Sequence, residues 1–149
     1  MKEKCDNIHF LIVGTSHDHI FKIIHKFQPI KLYLISSFEM QESINALNDQ
    51  IKALNIMTQI IWINPFKEDS LHQIIKEIIW RAKKEIIEHP NVKIYIGFTG
   101  GTNLMAIAAG YSAMILKAES HYVLKDKDEI LIFKPSQIIF SLQTDEQLF

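Results

Sequence analysis

The sequence predicts a three-layer α/β sandwich built on a mostly parallel sheet that ends in an antiparallel hairpin. Three observations carry that expectation. Four short apolar runs are each followed by a stretch with helical spacing, two further apolar runs are separated by five polar residues alone, and no linker or low-complexity segment breaks the alternation. A parallel pair needs a crossover of a dozen residues or more, so the last two runs should pair antiparallel.

Ile8 to Val13 is nearly continuous in apolar residues and closes on Gly14, which suits a strand covered on both faces. Thr15 or Ser16 can cap the helix that follows. Asp18 falls in its first turn, where the helix dipole favours an anion, and Ile20, Ile23, Ile24 and Phe27 continue at helical spacing until Pro29. Lys31 to Ile35 reads as the second strand, and a helix over roughly Met40 to Leu54 carries Ile44, Leu47, Ile51 and Leu54. Gln59 to Ile63 reads as the third strand. Ser70 can cap a long helix whose apolar stripe runs through Leu71, Ile74, Ile75, Ile78, Ala82 and Ile86 and which Pro90 ends. Val92 to Phe98 is the fourth strand, and Thr99-Gly100-Gly101-Thr102-Asn103 opens a fourth helix with Leu104, Ile107, Ala108, Tyr111 and Ile115. The small face of that helix, Ala106, Ala109, Gly110 and Ala113, should pack on its own sheet. His121 to Leu124 and Ile130 to Phe133 form the hairpin. One domain over residues 1–135 is expected, with residues 136–149 as an apolar tail that packs on the domain or on a partner subunit.

Composition narrows the function classes. The chain has 149 residues, 48% of them apolar, with 16 basic and 17 acidic side chains and a net charge of −1. A chain of this length buries roughly 70% of the surface its unfolded form exposes, enough for one core without metal or disulfide staples. The single cysteine, Cys5, excludes a disulfide framework. No apolar signal core stands at the amino terminus, and the longest weakly polar run, Leu104 to Leu116, falls short of the ~20 residues that span a bilayer, so no membrane partner and a cytoplasmic setting are expected. A near-neutral balance argues against a long nucleic acid as partner, because duplex binders carry a strongly basic face. A short anionic ligand held by backbone groups stays open.

In an open parallel sheet, ligands bind beyond the carboxyl ends of the strands, where strand order reverses. Four loops meet that condition: Gly14-Thr15-Ser16-His17, Ser36-Ser37-Phe38, Asn64-Pro65-Phe66 and Thr99-Gly100-Gly101-Thr102-Asn103. The last is the sharpest. Its adjacent glycines let the backbone approach a ligand, Thr99 and Thr102 offer hydroxyls, and the helix behind aims unpaired N–H groups at the same place. The same string would also serve as a plain capping turn. Gly97, Gly100 and Gly101 do not make a dinucleotide fingerprint, and no Lys-Ser/Thr pair of a phosphate loop follows. His17 and His19 stand two apart, so on a helix they point to different sides, and with no third ligand in view no metal site is expected. His9, inside the first strand, reads as a satisfied core or edge histidine, and no nucleophile elbow surrounds Ser16.

With Thr99-Gly100-Gly101-Thr102-Asn103-Leu104-Met105 after the fourth strand and Gly14-Thr15-Ser16 after the first, the chain resembles the CARF family, the CRISPR-associated Rossmann-fold domains, over nearly its whole length. The resemblance implies a Rossmann-like fold and a homodimer that binds a cyclic oligoadenylate second messenger, cyclic tetra-adenylate suiting the two-fold symmetry, in type III CRISPR antiviral signalling. It implies ligand binding by the loops after the first and fourth strands. The expected ligand-binding set is Gly14, Thr15, Ser16, Ser36, Ser37, Asn64, Thr99, Gly100, Gly101, Thr102, Asn103 and Met105, with no cofactor. It further implies cleavage of the ring by its own ribose 2′-OH without metal, with Ser16, His17 and Asn103 as the catalytic candidates. One departure bears on cleavage, since ring-cleaving members often carry Lys where this chain has Asn103, which donates a hydrogen bond and supplies no charge. CARF sensors generally carry an effector after this domain, and 149 residues hold none, so the chain is expected to act alone or to belong to a longer one. A non-catalytic sensor or sponge for the messenger is the alternative, and a small enzyme acting on a phosphorylated sugar is the reading without the resemblance.

Overall fold

The computed structural model describes residues 5–144, the side chains of residues 136 and 139 excepted. The chain runs β1 (Asn7–Ile12), α1 (Asp18–Phe27), β2 (Lys31–Ser37), α2 (Gln41–Lys52), β3 (Met57–Ile63), α3 (Ser70–Glu88), β4 (Lys93–Gly97), α4 (Asn103–Leu116), β5 (Glu119–Val123), β6 (Ile130–Phe133) and α5 (Pro135–Thr144). One 3-10 turn, Phe38–Met40, leads into α2. The six strands form one sheet in the order β3-β2-β1-β4-β5-β6, all parallel except β6, which runs antiparallel to β5. The expected α/β sandwich with a terminal hairpin is therefore the architecture found.

Burial explains the order. Every residue of β1 is buried, as its uninterrupted apolar run requires of a central strand, and successive side chains serve opposite layers. Ile8, Phe10 and Ile12 join Ile74, Ile78 and Ala82 of α3 and Met105, Ala108, Ala109 and Ala113 of α4. Leu11 and Val13 join Ile20 and Ile23 of α1 and Ile44, Leu47 and Ile51 of α2. β3 is an edge strand, and Met57, Gln59 and their neighbours alternate in exposure accordingly. Two termini differ from the expectation. Thr15 and Ser16 do not cap α1, whose N-cap is His17 without a side-chain cap bond, because the chain spends these residues in a loop over the end of β1. Asp69 rather than Ser70 is the N-cap of α3. The tail from Pro135 forms α5, with Ile138, Phe140 and Leu142 exposed, while its last five residues lie outside the described ones.

Two polar groups in the core are tied rather than tolerated. Lys31 Nζ donates to Glu85 Oε1 at 2.6 Å and Tyr33 Oη donates to the same oxygen at 2.5 Å, joining β2 to the end of α3. Burial pushes the Glu85 carboxyl up, and the hydrogen bonds and charge of Lys31 more than offset it, leaving it below the ordinary carboxylate range. On the other face His9 is fully buried in the first strand, as read from sequence. Asn7 Nδ2 donates to the carbonyls of Phe27 and Cys5, which turns Asn7 Oδ1 toward His9 Nε2 at 2.8 Å, so that nitrogen carries the proton. His9 Nδ1 is then an acceptor, and His121 Nε2–H donates to it at 2.8 Å. Both rings are held neutral. Burial drives His9 well below the ordinary histidine value, with the neighbouring His121 adding to it, and drives His121 down to about 4.

This buried pair makes stability fall with acid. The unfolded chain takes up protons on these histidines below about pH 6.5 while the folded chain refuses them until lower pH, so stability is full above 6.5 and declines toward 4. Between pH 7 and pH 5 His121 alone should cost about 2 kcal/mol. Thermal melts at stepped pH check this: the midpoint should drop over that interval, His121→Gln should flatten the decline, and an unchanged midpoint would contradict the assignment.

Candidate functional site

The direction of the chain fixes where a site can form. From β1 it moves through β2 to β3 on one side and then returns to place β4 on the other side of β1, so strand order reverses between β1 and β4. The loops after these two strands therefore diverge, one toward each helical layer, and leave a crevice at the carboxyl edge.

At that crevice the two loops touch through their backbones. A Cβ on Gly14 would lie 3.0 Å from the nitrogen and 3.4 Å from the Cα of Gly101, so glycine lets the first loop lie closer to the second than a side chain there would. Gly100 and Gly101 adopt φ of +81° and +68°, left-handed backbone that glycine alone takes without strain. Beneath Gly101 lie the Met105 methyl and Ile12, each less than 3.4 Å from where a Cβ would project. The turn then enters α4 through a capped first turn. Thr102 Oγ1 accepts the Met105 N–H at 3.2 Å, and Met105 Sδ accepts the Thr102 N–H at 3.4 Å. Helical geometry gives the N–H groups of Asn103 and Leu104 no acceptor within α4, so they and the helix dipole face the crevice.

The expected residues divide into four groups. Gly14, Thr15, Ser16, Gly100, Gly101, Thr102 and Asn103 come together around the crevice, with Thr15, Ser16 and residues 100–103 exposed. Ser36, Thr99 and Met105 are turned into the frame. Ser36 is fully buried and donates to the Val13 carbonyl at 3.1 Å, Thr99 Oγ1 accepts the Val123 N–H at 2.7 Å, and Met105 supports the glycine turn from below. Ser37 and Asn64 line a separate cleft where β2 and β3 end. His17 stands at the start of α1 with Nε2 3.2 Å from the Gly14 carbonyl and 3.4 Å from Ser43 Oγ, so its imidazole braces the first loop.

His19 is the residue that sequence reading passed over. It is buried in the first turn of α1, and a Cβ on Gly100 would come within 3.1 Å of its ring. Burial lowers its pKa, and the Ile12 carbonyl opposes that. The signal was present as a second histidine two residues after His17, on the inner side of the coming helix. The two rings point to different surroundings, and among the described residues no group of three His, Cys, Asp or Glu side chains is placed to hold a metal ion. No helix among them is long and apolar enough to cross a membrane.

Beside the crevice, α4 presents an apolar face to solvent. Ile107, Tyr111, Met114 and Ile115 are 44–59% exposed, and the face runs on through Tyr122 and Ile138 around a groove of about 710 Å³. Of the small residues, Ala109 and Ala113 are buried against the sheet and α3 and Ala106 packs beside them, whereas Gly110 faces the groove with open space over it.

No protein-family model matches the chain, and no curated protein does. Solved structures do match. Protein VC1899 from Vibrio cholerae superposes with a TM-score of 0.73 at 14% identity over 87% of this chain and 33% of its own. Can2 from Sulfobacillus thermosulfidooxidans, solved in complex with cyclic tetra-adenylate, gives 0.67 at 17% over 86% and 35%. Enterococcus italicus Csm6, bound to cyclic hexa-2′-fluoro-hexa-dAMP, gives 0.66 at 16% over 82% and 34%. The chain spans about a third of the length of these proteins, and within that span it shares their Rossmann-like α/β fold.

Proposed function

We propose that this chain binds a cyclic oligoadenylate in type III CRISPR signalling, with cyclic tetra-adenylate as the ring that fits best. The observation that carries the reading is the abutment of Gly14 on Gly101 at the reversal between β1 and β4, which brings the amino termini of α1 and α4 to one exposed crevice. Backbone N–H groups and helix dipoles hold phosphates without basic side chains, which suits a chain of net charge −1. The shared fold with proteins solved around cyclic oligoadenylates supports the ligand class.

The protein works as a homodimer in this reading. The exposed face of α4 begins one turn after the crevice, so a two-fold axis at Ile107 and Tyr111 sets two crevices side by side and buries an apolar surface that a monomer would leave in water. Gly14, Thr15, Ser16, Gly100, Gly101, Thr102 and Asn103 contact the ring directly, while Ser36, Thr99 and Met105 hold the loops.

In the same reading the bound ring is cleaved. The ribose 2′-oxygen bonds to the adjacent phosphorus, the bond from phosphorus to the 5′-oxygen breaks, His17 takes the 2′ proton, and the leaving oxygen is protonated in turn. Ser16 and Asn103 orient the phosphate. A second reading, a sponge or sensor that binds without turnover, is favoured by one observation: His17 Nε2 already engages the Gly14 carbonyl, and Asn103 brings no charge to the phosphate.

Three measurements test this. Asn103→Asp places a carboxylate at the first turn of α4, where the dipole welcomes it, so the melting temperature should hold while the Kd for cyclic tetra-adenylate rises by at least about tenfold. Equal affinity would remove the crevice from consideration. Sedimentation of the wild type should give a dimer, and Tyr111→Glu a monomer with weakened binding; a wild-type monomer would end the shared-site reading. Labelled cyclic tetra-adenylate incubated with EDTA should open to a linear product ending in a 2′,3′-cyclic phosphate, more slowly with His17→Ala. A ring left intact through many enzyme equivalents supports the sponge instead.

A further inference from the structure

The carboxyl edge of the sheet carries a second feature that the crevice does not use. Phe38 and Glu39 follow β2, Asn64, Pro65 and Phe66 follow β3, and together they enclose a cleft of about 210 Å³. Two aromatic rings stand in water there, Phe38 61% exposed and Phe66 75% exposed, although neither belongs to either core cluster. Phe38 is not loose. It stacks on the half-buried Trp62 of β3, with ring centroids 5.2 Å apart and planes within 17°, so one face is fixed and the other is left for something flat.

The polar groups beside these rings narrow the occupant. Glu39 is exposed and, when ionised, only accepts hydrogen bonds. Asn64 Oδ1 accepts the Phe66 N–H at 3.1 Å, which shapes the turn and leaves the amide N–H groups as donors. The cleft has no cation in its lining and carries the Glu39 carboxylate, whose charge repels a phosphate. Flat apolar faces with one acceptor and one donor suit a heteroaromatic base that bears an exocyclic amine. The ends of β2 and β3 lie about 5 and 10 Å from the end of β1, given ordinary strand spacing. A nucleotide whose phosphate sits at Gly14 and Gly101 spans that interval with its sugar and base.

We propose that this cleft is a purine-base subsite, in which an adenine of the bound ring stacks against Phe38 and Phe66 and its amine donates to Glu39. The inference rests on cyclic oligoadenylate binding at the crevice. It assigns specificity to aromatic stacking and one carboxylate, and leaves the phosphates to the glycine loops. Trp62, underneath Phe38, acts as a positioning residue.

The chain has two tryptophans, and replacing the exposed Trp80 of α3 by Phe leaves Trp62 as a fluorescent reporter under the cleft. Titration with cyclic tetra-adenylate should then change Trp62 emission. In the full chain, Phe38→Ala and Phe66→Ala should each raise the Kd roughly fivefold to a hundredfold, the range that removal of a stacking ring produces. Both side chains are exposed, so circular dichroism should be unchanged. Cyclic tetra-inosinate, with a carbonyl in place of the amine, should bind the wild type poorly and Glu39→Gln better, because the glutamine amide can donate. If the wild type binds cyclic tetra-adenylate while both alanine variants bind it equally and Trp62 emission stays constant, the subsite is wrong and the crevice stands. If the wild type binds no cyclic oligoadenylate, both fall together.

Discussion

The contact of Gly14 with Gly101 sets the form of the whole carboxyl edge. β1 and β4 are neighbours in the sheet, yet their following loops leave for opposite layers, and the only material between the two loops is peptide backbone. A side chain at Gly14 would press them apart, and one at Gly101 would run into Met105 and Ile12 beneath the turn. Because none is there, the first turns of α1 and α4 start from one place, and their unpaired N–H groups point into one space instead of two. The capped turn at Thr102 and the methionine beneath Gly101 keep that geometry from relaxing.

The layer under α1 is more polar than an apolar core needs to be. Asn7, His9 and His121 form a hydrogen-bonded line within it, and His19 lies further along the same layer, against Gly100. Gly97 gives His121 its space, since a Cβ there would come within 2.8 Å of that ring. Two nitrogens in this group, His19 Nε2 and His121 Nδ1, are buried without a partner among the described residues. Unpaired buried polar atoms are costly, and the Ser70 hydroxyl at the start of α3 is a third such atom, on the opposite layer.

That reading also separates three tasks in space. Phosphates are met by backbone at the reversal between β1 and β4, bases by aromatic rings at the ends of β2 and β3, and a second copy by the exposed face of α4. No single task calls for basic side chains, which reconciles a polyanionic ligand with a formal charge of −1.

Much of this was legible beforehand. Short, nearly continuous apolar runs and stripes of period 3.6 mark strands and helices locally, so the α/β alternation, the hairpin and the glycine turn before α4 could be read from residues alone. Ends were harder. Thr15 and Ser16 look like caps for α1, but the chain carries them over the end of β1 and begins the helix at Asp18, a choice made by the packing of one loop on another. The roles of Ser36 and Thr99 were equally hidden, because a hydroxyl in a loop near a ligand edge and a hydroxyl tying that loop to the sheet have the same sequence signature. The sequence by itself determined which loops lie at the carboxyl edge of the sheet. Only the tertiary structure decided which of their side chains face it, that His19 and His121 share a buried layer, and that Phe38 meets Trp62 from a strand 24 residues away, since such contacts join positions whose spacing along the chain carries no period.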